Sequence, residues 1–398
     1  MHRLLTVLIA VASLFALDSL AQQKDPLRVL GMFPKGQLEG ANQGRTIIVT
    51  FSKPVVPLQQ LPEGDGSGPL VIAPAVKGKF RWLGTSTLSF TPSDTLEPAT
   101  EYHVKLAANF KASDGTSLGG DVTWSFTTAR PALIASSPGH NQQSVQLTPT
   151  IFLRFTQKMN PAKAASFIKV KEGTREGSAV AFTVGVPGNE ELSKAKVYWS
   201  SDTTMMLALR LEKPLVKNKR YVVMLAKELP GARGTLGMEK EASFAFDTYR
   251  DFAFVRVDNP TNRRPGDGLT FNFTTPVRFR DLVNNLSFDP PVKPPENYEE
   301  YEWSAAELTL YLQLKAETKY TCTIKKELQD IFGQTLGKDA TFTITTSSHE
   351  PYFTMTSGHG ILEAYGDRVY PVTTMNLSSV EVKMLRLNKD NVIPMLTS

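Results

Sequence analysis

The residue types that most often carry out catalysis or bind metals are few and scattered in this chain. It has one cysteine, Cys322, and five histidines among 398 residues. A single cysteine excludes a disulfide framework, a cysteine-based zinc site and an iron–sulfur cluster. Enzymes bring acids, bases and nucleophiles together at one site, and the sequence shows no such grouping. We therefore predict no catalytic, cofactor-binding or metal-binding residues, and no enzyme activity.

The histidines have plainer interpretations than acid–base chemistry. His103 alternates with apolar residues on a predicted strand, so we expect a solvated side chain. His140 and His349 lie in predicted linkers. The stretch Gly358-His359-Gly360 has the composition of a flexible catalytic loop, but no partner motif accompanies it.

Other polar patterns also favour structural interpretations. Asp114-Gly115 is typical of a hairpin turn, whereas a calcium site needs several oxygen ligands at set spacings. Residues 64–68, which include Asp65, read as a loop insertion because they lack the lysine and helix of a phosphate loop. A set of glutamates borders a predicted strand and indicates a solvated face: Glu299, Glu300 and Glu302.

Composition narrows the class of protein. The chain is 41% apolar, which is enough for packed cores and excludes general disorder. Its 44 basic and 39 acidic residues are interspersed without a basic stripe, so a nucleic-acid partner is not expected. At roughly 100–200 residues per domain, the length indicates two to four domains.

Residues 1–21 have the features of a secretory signal peptide. A short basic start precedes an apolar run over residues 4–17, and Ser19 and Ala21 are the small residues expected before cleavage. That run is shorter than the ~20 residues needed to span a bilayer. No cysteine lies at the cleavage point, so we expect no lipid anchor, and no later segment is apolar enough to span a membrane. We therefore predict an exported mature chain that begins near Gln22.

Four landmarks recur in the same order three times, at a period of about 100–120 residues. The first is an alternating strand that ends in Phe51, Phe155 or Phe273 and is followed by a proline-containing break at Pro54, Pro161 or Pro276. The second is a tryptophan two residues after an apolar residue, at Trp82, Trp199 and Trp303. A further alternating strand follows each tryptophan in the sequence.

The third landmark is a leucine six residues before a tyrosine that opens a strand. The pairs are Leu96 and Tyr102, Leu215 and Tyr221, and Leu314 and Tyr320. This pattern indicates a tyrosine corner, in which the phenol bonds to backbone upstream. The fourth landmark is a glycine turn before a closing strand, where glycine supplies a positive φ. Its glycines are Gly115 and Gly119, Gly234 and Gly237, and Gly333 and Gly337.

Together these signals predict an all-β chain of three tandem antiparallel Ig-like β-sandwiches plus an incomplete fourth β-domain. The predicted limits are 22–131, 132–250, 251–350 and 351–398. Short helical turns are expected only at 161–167 and 278–284. The repeat also places Cys322 at the core position of Val104 and Val223, which predicts an inert, buried thiol.

The last residues change character. The stretch 368–372 and the alternation of Val380, Val382 and Met384 with charged residues predict two strands of a new β-domain.

Parts of the chain resemble known families. The segments LEPATEYHVKLA, DGTSLGGDVTWSFTT and LKAETKYTCTIKKELQDIFGQTLGKDATFTITT resemble bacterial Ig-like domains of the surface-layer type. Followed by GHGILEAYGDRVYPVTTMNLSSVEVKMLRLNKDNV, the array resembles the N-terminal region of bacterial alpha-2-macroglobulins, in which the tail would open a macroglobulin domain. In a bacterial protein the glycosylation sequons at Asn272, Asn285 and Asn376 would be chance matches.

The resemblance implies an exported protease trap in the periplasm or the cell envelope. Such proteins change shape on cleavage and enclose the protease or capture it through a Cys–Gln thioester. Cys322 is followed by Thr323 and Ile324, not by the thioester motif, so no trapping residue is carried over. The expected role is a non-catalytic scaffold without cofactor, whose partners are neighbouring domains and, through downstream regions, proteases.

Two alternatives from other classes stay open at this point. One is a structural or adhesive surface protein built of Ig-like modules. The other is an accessory β-region of a secreted hydrolase. Fold alone does not choose among them, because sandwiches carry many functions.

Overall fold

The computed structural model describes residues 25–40, 45–199, 202–355, 365–366, 371–383 and 388. The chain forms two compact units, one ending at Thr248 and the other beginning at Tyr249. The predicted signal peptide and the Gly358-His359-Gly360 stretch lie outside the described residues. Within the described part, no helix is long and apolar enough to cross a membrane.

The first sandwich alternates buried and exposed residues along its strands, as in Glu101–Leu106, where Tyr102, Val104 and Leu106 are buried. Its strands are β1 (Val29–Phe33), β2 (Gly36–Gln37), β3 (Ile47–Phe51), β4 (Glu63–Asp65), β5 (Leu70–Ala73), β6 (Gly78–Trp82), β7 (Thr87–Pro92), β8 (Glu101–Leu106) and β9 (Val122–Thr127). They form a five-stranded sheet, β1-β3-β7-β6-β4, and a four-stranded sheet, β2-β9-β8-β5.

The second sandwich repeats this plan and adds helices. Its strands are β10 (Leu133–Ser137), β11 (Gln142–Val145), β12 (Thr150–Phe155), β13 (Ile168–Glu172), β14 (Phe182–Gly185), β15 (Met206–Leu211), β16 (Arg220–Leu225) and β17 (Ala242–Thr248). Helices are α1 (Pro161–Ala164), α2 (Asn189–Lys194) and the 3-10 turns Ala165–Phe167 and Thr203–Met205. The two four-stranded sheets are β10-β12-β15-β14 and β11-β17-β16-β13.

The third sandwich, in the second unit, has smaller sheets. Its strands are β18 (Phe254–Val257), β19 (Leu269–Arg278), β20 (Leu286–Asp289), β21 (Ser304–Leu310), β22 (Lys319–Ile324) and β23 (Ala340–Thr345), with helix α3 (Phe279–Asn284) and the 3-10 turn Tyr298–Glu300. The two three-stranded sheets are β18-β19-β21 and β20-β22-β23. Each sandwich encloses its own apolar core between its sheets. The predicted all-β fold class is confirmed, whereas the predicted domain limits stay predictions.

The repeat extends to irregularities of strand pairing. Strands β1, β10 and β18 each pair antiparallel with the strand that carries the phenylalanine of the first landmark, and each pairing has a register shift near its start. The short strands β2 and β11 pair parallel with the closing strands β9 and β17. In the third sandwich this parallel pairing is reduced to one bridge between Arg263 and Thr346.

The predicted helical turns are confirmed. Pro161 begins α1, and the Asn160 side chain caps it by accepting from the Ala162 amide at 3.0 Å. The predicted break at Pro276 is wrong, because β19 continues to Arg278. A register shift between Asn272 and Val277 removes Pro276 from the ladder, so its missing N–H leaves no strand bond unmade.

The tryptophans of the second landmark do not share a structural position. Trp82 is buried in the first core, whereas Trp303 is 47% exposed just before β21. Trp199 packs on a small apolar cluster that includes Leu192 of α2 and Phe152 of β12. Helix α2, which the sequence analysis did not predict, therefore covers the outer face of a sheet.

Among the described residues, the stretch 368–372, predicted as a strand, coincides with a strand of the structure at Val372 alone. Strand β25 (Val372–Met375) pairs antiparallel with β24 (Tyr352–Met355). The predicted strand around Val380 and Val382 is wrong, because residues 380–383 have no regular structure and are exposed. Met384 and residues 368–370 lie outside the described residues.

Candidate functional site

Each of the three histidines in the described part of the chain contacts a different partner. His103 is exposed on β8, as predicted, with its Nε2 3.9 Å from Glu101 Oε1. His140 accepts the Ala245 amide through Nδ1 at 3.3 Å. The His349 carbonyl accepts the Asn376 side chain at 2.6 Å. Among the described residues, no group of three or more His, Cys, Asp or Glu side chains is placed to hold a metal ion.

Cys322 occupies the predicted core position. Its side chain is fully buried on β22, opposite Phe288 and Phe342, and burial raises the pKa of the thiol. The equivalent Val104 and Val223 are likewise buried. A neutral, inaccessible thiol is a poor nucleophile, so the expectation of an inert residue is consistent with its surroundings.

Asp114 lies in a turn, as predicted. Its Oδ1 accepts the Thr116 amide at 3.0 Å and hydroxyl at 2.6 Å, and its Oδ2 accepts Lys53 Nζ at 2.8 Å. These hydrogen bonds, led by that from Lys53, hold the pKa of the Asp114 carboxyl below its usual range. The carboxylate therefore joins the turn to the chain after β3.

Residues 64–68 differ from the predicted loop insertion. Strand β4 includes Gly64 and Asp65 and forms the edge of the five-stranded sheet against β6. A Cβ on Gly68 would lie 3.0 Å from the Phe80 ring, and Gly68 has a φ of +61°. Glycine is thus required for close approach to an aromatic ring, not for phosphate binding. The predicted exposure of Glu299, Glu300 and Glu302 is confirmed.

The tyrosine corners are confirmed in all three copies. Each phenol oxygen accepts a backbone amide five residues upstream: Glu97 to Tyr102 at 3.0 Å, Val216 to Tyr221 at 2.9 Å and Lys315 to Tyr320 at 2.8 Å. Each corner turns through a non-glycine residue with positive φ three positions before the tyrosine, namely Ala99, Asn218 and Glu317. Burial raises the pKa of Tyr102 and Tyr221, which keeps both phenols neutral.

A threonine closes each corner, which sequence reasoning missed. In the first sandwich, Thr128 donates its hydroxyl to the Glu97 carbonyl at 2.7 Å and accepts the Thr100 amide at 3.0 Å. Thr248 and Thr346 make the same pair of bonds in the other copies. The sequence feature that could have identified these residues is a threonine at the end of every closing strand. We call these three residues the corner threonines.

The corner of the first sandwich also contacts the second sandwich. Arg233 forms two hydrogen bonds to the Glu97 carboxylate, with Nε 2.9 Å from Oε1 and Nη2 bonded to Oε2. Because Tyr102 and Thr128 fix the Glu97 backbone, the carboxylate is presented from a fixed position. A two-point arginine–carboxylate contact also specifies orientation.

Backbone contacts lie beside this ion pair. The Ala99 carbonyl accepts the amides of Thr235 at 3.0 Å and Leu236 at 2.8 Å. Gly234 has a φ of +82°, and a Cβ there would lie 2.0 Å from the Pro98 carbonyl oxygen. Only glycine therefore permits this close approach of the two sandwiches.

The linker residue Arg130 completes the contact. Its Nε donates to the Gly237 carbonyl at 2.7 Å, and its Nη2 donates to the Met238 carbonyl at 3.0 Å. A cleft of about 1220 Å³ opens beside the linker, lined by residues of both sandwiches that include Leu96 and Met205. We call the contacts of Glu97, Ala99, Arg130, Arg233 and Gly234 the junction. Its ion pair and backbone hydrogen bonds join the first two sandwiches.

Comparison with known proteins agrees with this architecture. The family model described as bacterial Ig-like domain matches residues 23–128 and 129–248. The chain is 24% identical over 387 residues to an alpha-2-macroglobulin homolog from Nostoc sp.. That match covers 91% of this chain but spans only 20% of the relative's length. The resemblance to an alpha-2-macroglobulin that the sequence suggested is thereby confirmed.

Two solved structures are also similar to parts of this chain. Native alpha-2-macroglobulin from Escherichia coli, in a structure spanning domains MG0-NIE-MG1, is 15% identical with a TM-score of 0.22, and the match covers 81% of this chain and 99% of that one. L,D-transpeptidase 3 from Mycobacterium tuberculosis is 17% identical with a TM-score of 0.18, covering 39% and 63%. Because the family model matches more than half of the sequence, the chain belongs to the bacterial Ig-like domain family.

Proposed function

We propose that this chain is the Ig-like scaffold region of an exported endopeptidase inhibitor of the alpha-2-macroglobulin type, and that it is itself non-catalytic. The observation that carries the proposal is the similarity to a protein named an alpha-2-macroglobulin homolog along 91% of this chain. The chain corresponds to about a fifth of that relative, so the inhibitory activity would belong to the longer protein.

The junction supports a scaffold role. A region that positions a trapping body must keep its own modules in a fixed relation. The ion pair of Arg233 with Glu97 and the two amides bonded to the Ala99 carbonyl supply such a relation for the first two sandwiches. Intrachain interfaces without such directional contacts would permit relative motion of the modules.

The proposed partners follow from the same assignment. The longer protein would meet endopeptidases through its other regions, while this chain would contact neighbouring domains. The proposed location is outside the cytoplasm, in the periplasm or at the cell envelope, reached through the signal peptide predicted at residues 1–21.

The test compares the complete product of the gene with the 398-residue chain. An enclosed protease remains open to small peptides but not to large proteins. The complete product should therefore block digestion of a folded protein substrate by an endopeptidase while hydrolysis of a small peptide substrate continues. The chain alone should change neither rate. Failure of the complete product to protect the large substrate, or peptide hydrolysis by the chain itself, would contradict the proposal.

A further inference from the structure

Among the residues that the structure describes, the third sandwich lacks a strand that the other two possess. In the first sandwich β7 lies between β3 and β6, and in the second β15 lies between β12 and β14. Strand β21 occupies the same place in the third sandwich, yet it pairs with β19 alone. Within the described part of the chain, the other edge of β21 has no strand beside it.

The segment that stands where the missing strand would be expected is rich in proline. The segment that precedes β21 contains Pro290, Pro291, Pro294 and Pro295. Proline has no N–H to donate to a ladder, so this segment is poorly suited to pairing. It ends in the 3-10 turn Tyr298–Glu300 and then leads directly into β21.

The open edge is long enough to accept a strand. Strand β21 spans 7 residues, which at ~3.3 Å per residue gives an edge of roughly 20 Å. Alternate residues of an edge strand direct unpaired N–H and C=O groups outward. Aromatic side chains stand at both ends: Trp303 is 47% exposed before the strand, and Tyr311 is 72% exposed after it. Such rings can pack on side chains of an added strand.

The sequence within β21 and just before it is acidic. Residues 290–310 contain one lysine and the following glutamates: Glu296, Glu299, Glu300, Glu302 and Glu307. All five are exposed, and none is in an ion pair with a described residue. Like charges placed opposite each other destabilise strand pairs, so this edge disfavours a second copy of itself. The same charges favour a basic partner.

We propose that β21 is a docking edge to which an extended, lysine- or arginine-rich segment of another protein adds as a strand. Backbone hydrogen bonds to β21 would provide affinity, as in other cases of strand addition, and the glutamates would select for basic side chains. The proposal does not depend on the inhibitor function, because it concerns a local feature of the third sandwich.

The first experiment uses the 398-residue chain and a synthetic peptide of alternating lysine and valine about ten residues long, a typical strand length. Amide hydrogen exchange of residues 304–310 should slow by roughly tenfold at saturating peptide, because edge amides become bonded. A peptide of alternating glutamate and valine should not bind. Two further lysine–valine peptides carry N-methyl groups on one or the other alternate set of residues. Only one of these two should lose binding, because only one set of N–H groups faces the edge.

Charge variants give a second readout. The double variant Glu302→Lys, Glu307→Lys should bind the lysine–valine peptide about tenfold or more weakly at low ionic strength. This difference in affinity should shrink as salt is added. Glu327→Lys, which reverses an exposed glutamate elsewhere on the third sandwich, should leave affinity within about twofold. The proposal is overturned if the peptide does not bind, if protection appears away from 304–310, if both N-methylated peptides bind alike, or if the charge variants and the control behave alike.

Discussion

Arg233 of the second sandwich pairs with Glu97 of the first sandwich through two hydrogen bonds, and Glu97 is itself fixed by the tyrosine corner of its own sandwich. The two residues are 136 positions apart in the chain. The corresponding corner positions in the second and third sandwiches are Val216 and Lys315. The ion pair is therefore a feature of the junction, added to a corner that all three copies share.

The ion pair should contribute orientation more than stability. Its side chains are 66% and 36% exposed, and exposed pairs contribute at most about 1 kcal/mol. We expect a double-mutant cycle of Glu97→Gln and Arg233→Gln, measured by urea unfolding, to give a coupling free energy in that range that falls toward zero near 1 M salt. A coupling that is zero at low salt, or that does not respond to salt, would argue against this assignment.

Gly234→Ala should destabilise the first unit. The new Cβ would lie 2.0 Å from the Pro98 carbonyl oxygen, at a φ of +82°. Gly115→Ala is a matched control, because Gly115 has a φ of +83° but nothing within 4 Å of its Cβ position. We expect Gly234→Ala to lower the free energy of urea unfolding by about 1–3 kcal/mol more than Gly115→Ala does. Equal effects would show that the close approach at the junction is absent in solution.

Substituting a corner threonine should lower the free energy of unfolding more than substituting an exposed threonine does. Thr248 is 2% exposed, donates to the Val216 carbonyl at 2.7 Å and accepts the Lys219 amide at 3.0 Å. Thr248→Val removes both hydrogen bonds, each of which contributes about 0.5–1.5 kcal/mol, so the expected loss is about 1–3 kcal/mol. The exposed Thr183→Val on β14 should change stability by no more than about 0.5 kcal/mol. Chemical denaturation of the two variants tests the difference, and equal midpoints would contradict it.

Cys322 should be inert in the folded protein. Its side chain is fully buried, and the raised pKa keeps the thiol protonated at neutral pH. We expect no reaction with a thiol-specific reagent in buffer and one equivalent of reaction in denaturant. Cys322→Val should change the free energy of unfolding by no more than about 1.5 kcal/mol, since valine occupies the same position in the other copies. Rapid labelling of the native protein would contradict the core assignment.

The sequence predicted local, repeated features better than contacts between modules. The tyrosine corners were predictable because the leucine–tyrosine spacing recurs unchanged and the bond spans only five residues. The positive φ of glycine turns was predictable at Gly115 and Gly333 for the same reason. These features depend on short segments, so three copies supply three independent observations of one pattern.

Other features were not predictable because their partners are distant or specific to one copy. The Thr128 hydroxyl bonds to a carbonyl 31 residues upstream, and alternation along a strand does not identify that partner. The contact of Arg233 with Glu97 occurs in one copy and leaves no repeated signal. Helix α2 has only 6 residues and lies in an insertion peculiar to the second sandwich. Pro276 remains within a strand because a register shift, which sequence does not reveal, removes it from the ladder.

The most direct test of the scaffold account is a distance measurement across the junction. On a Cys322→Val background, cysteines introduced at the exposed positions Thr123 on β9 and Lys169 on β13 would carry spin labels. Pulsed electron–electron double resonance should give one narrow distribution of the distance between the two labels when the junction is unaltered. Gly234→Ala should broaden or shift that distribution. A broad distribution with the junction unaltered would show that the two sandwiches move independently, and would contradict the account.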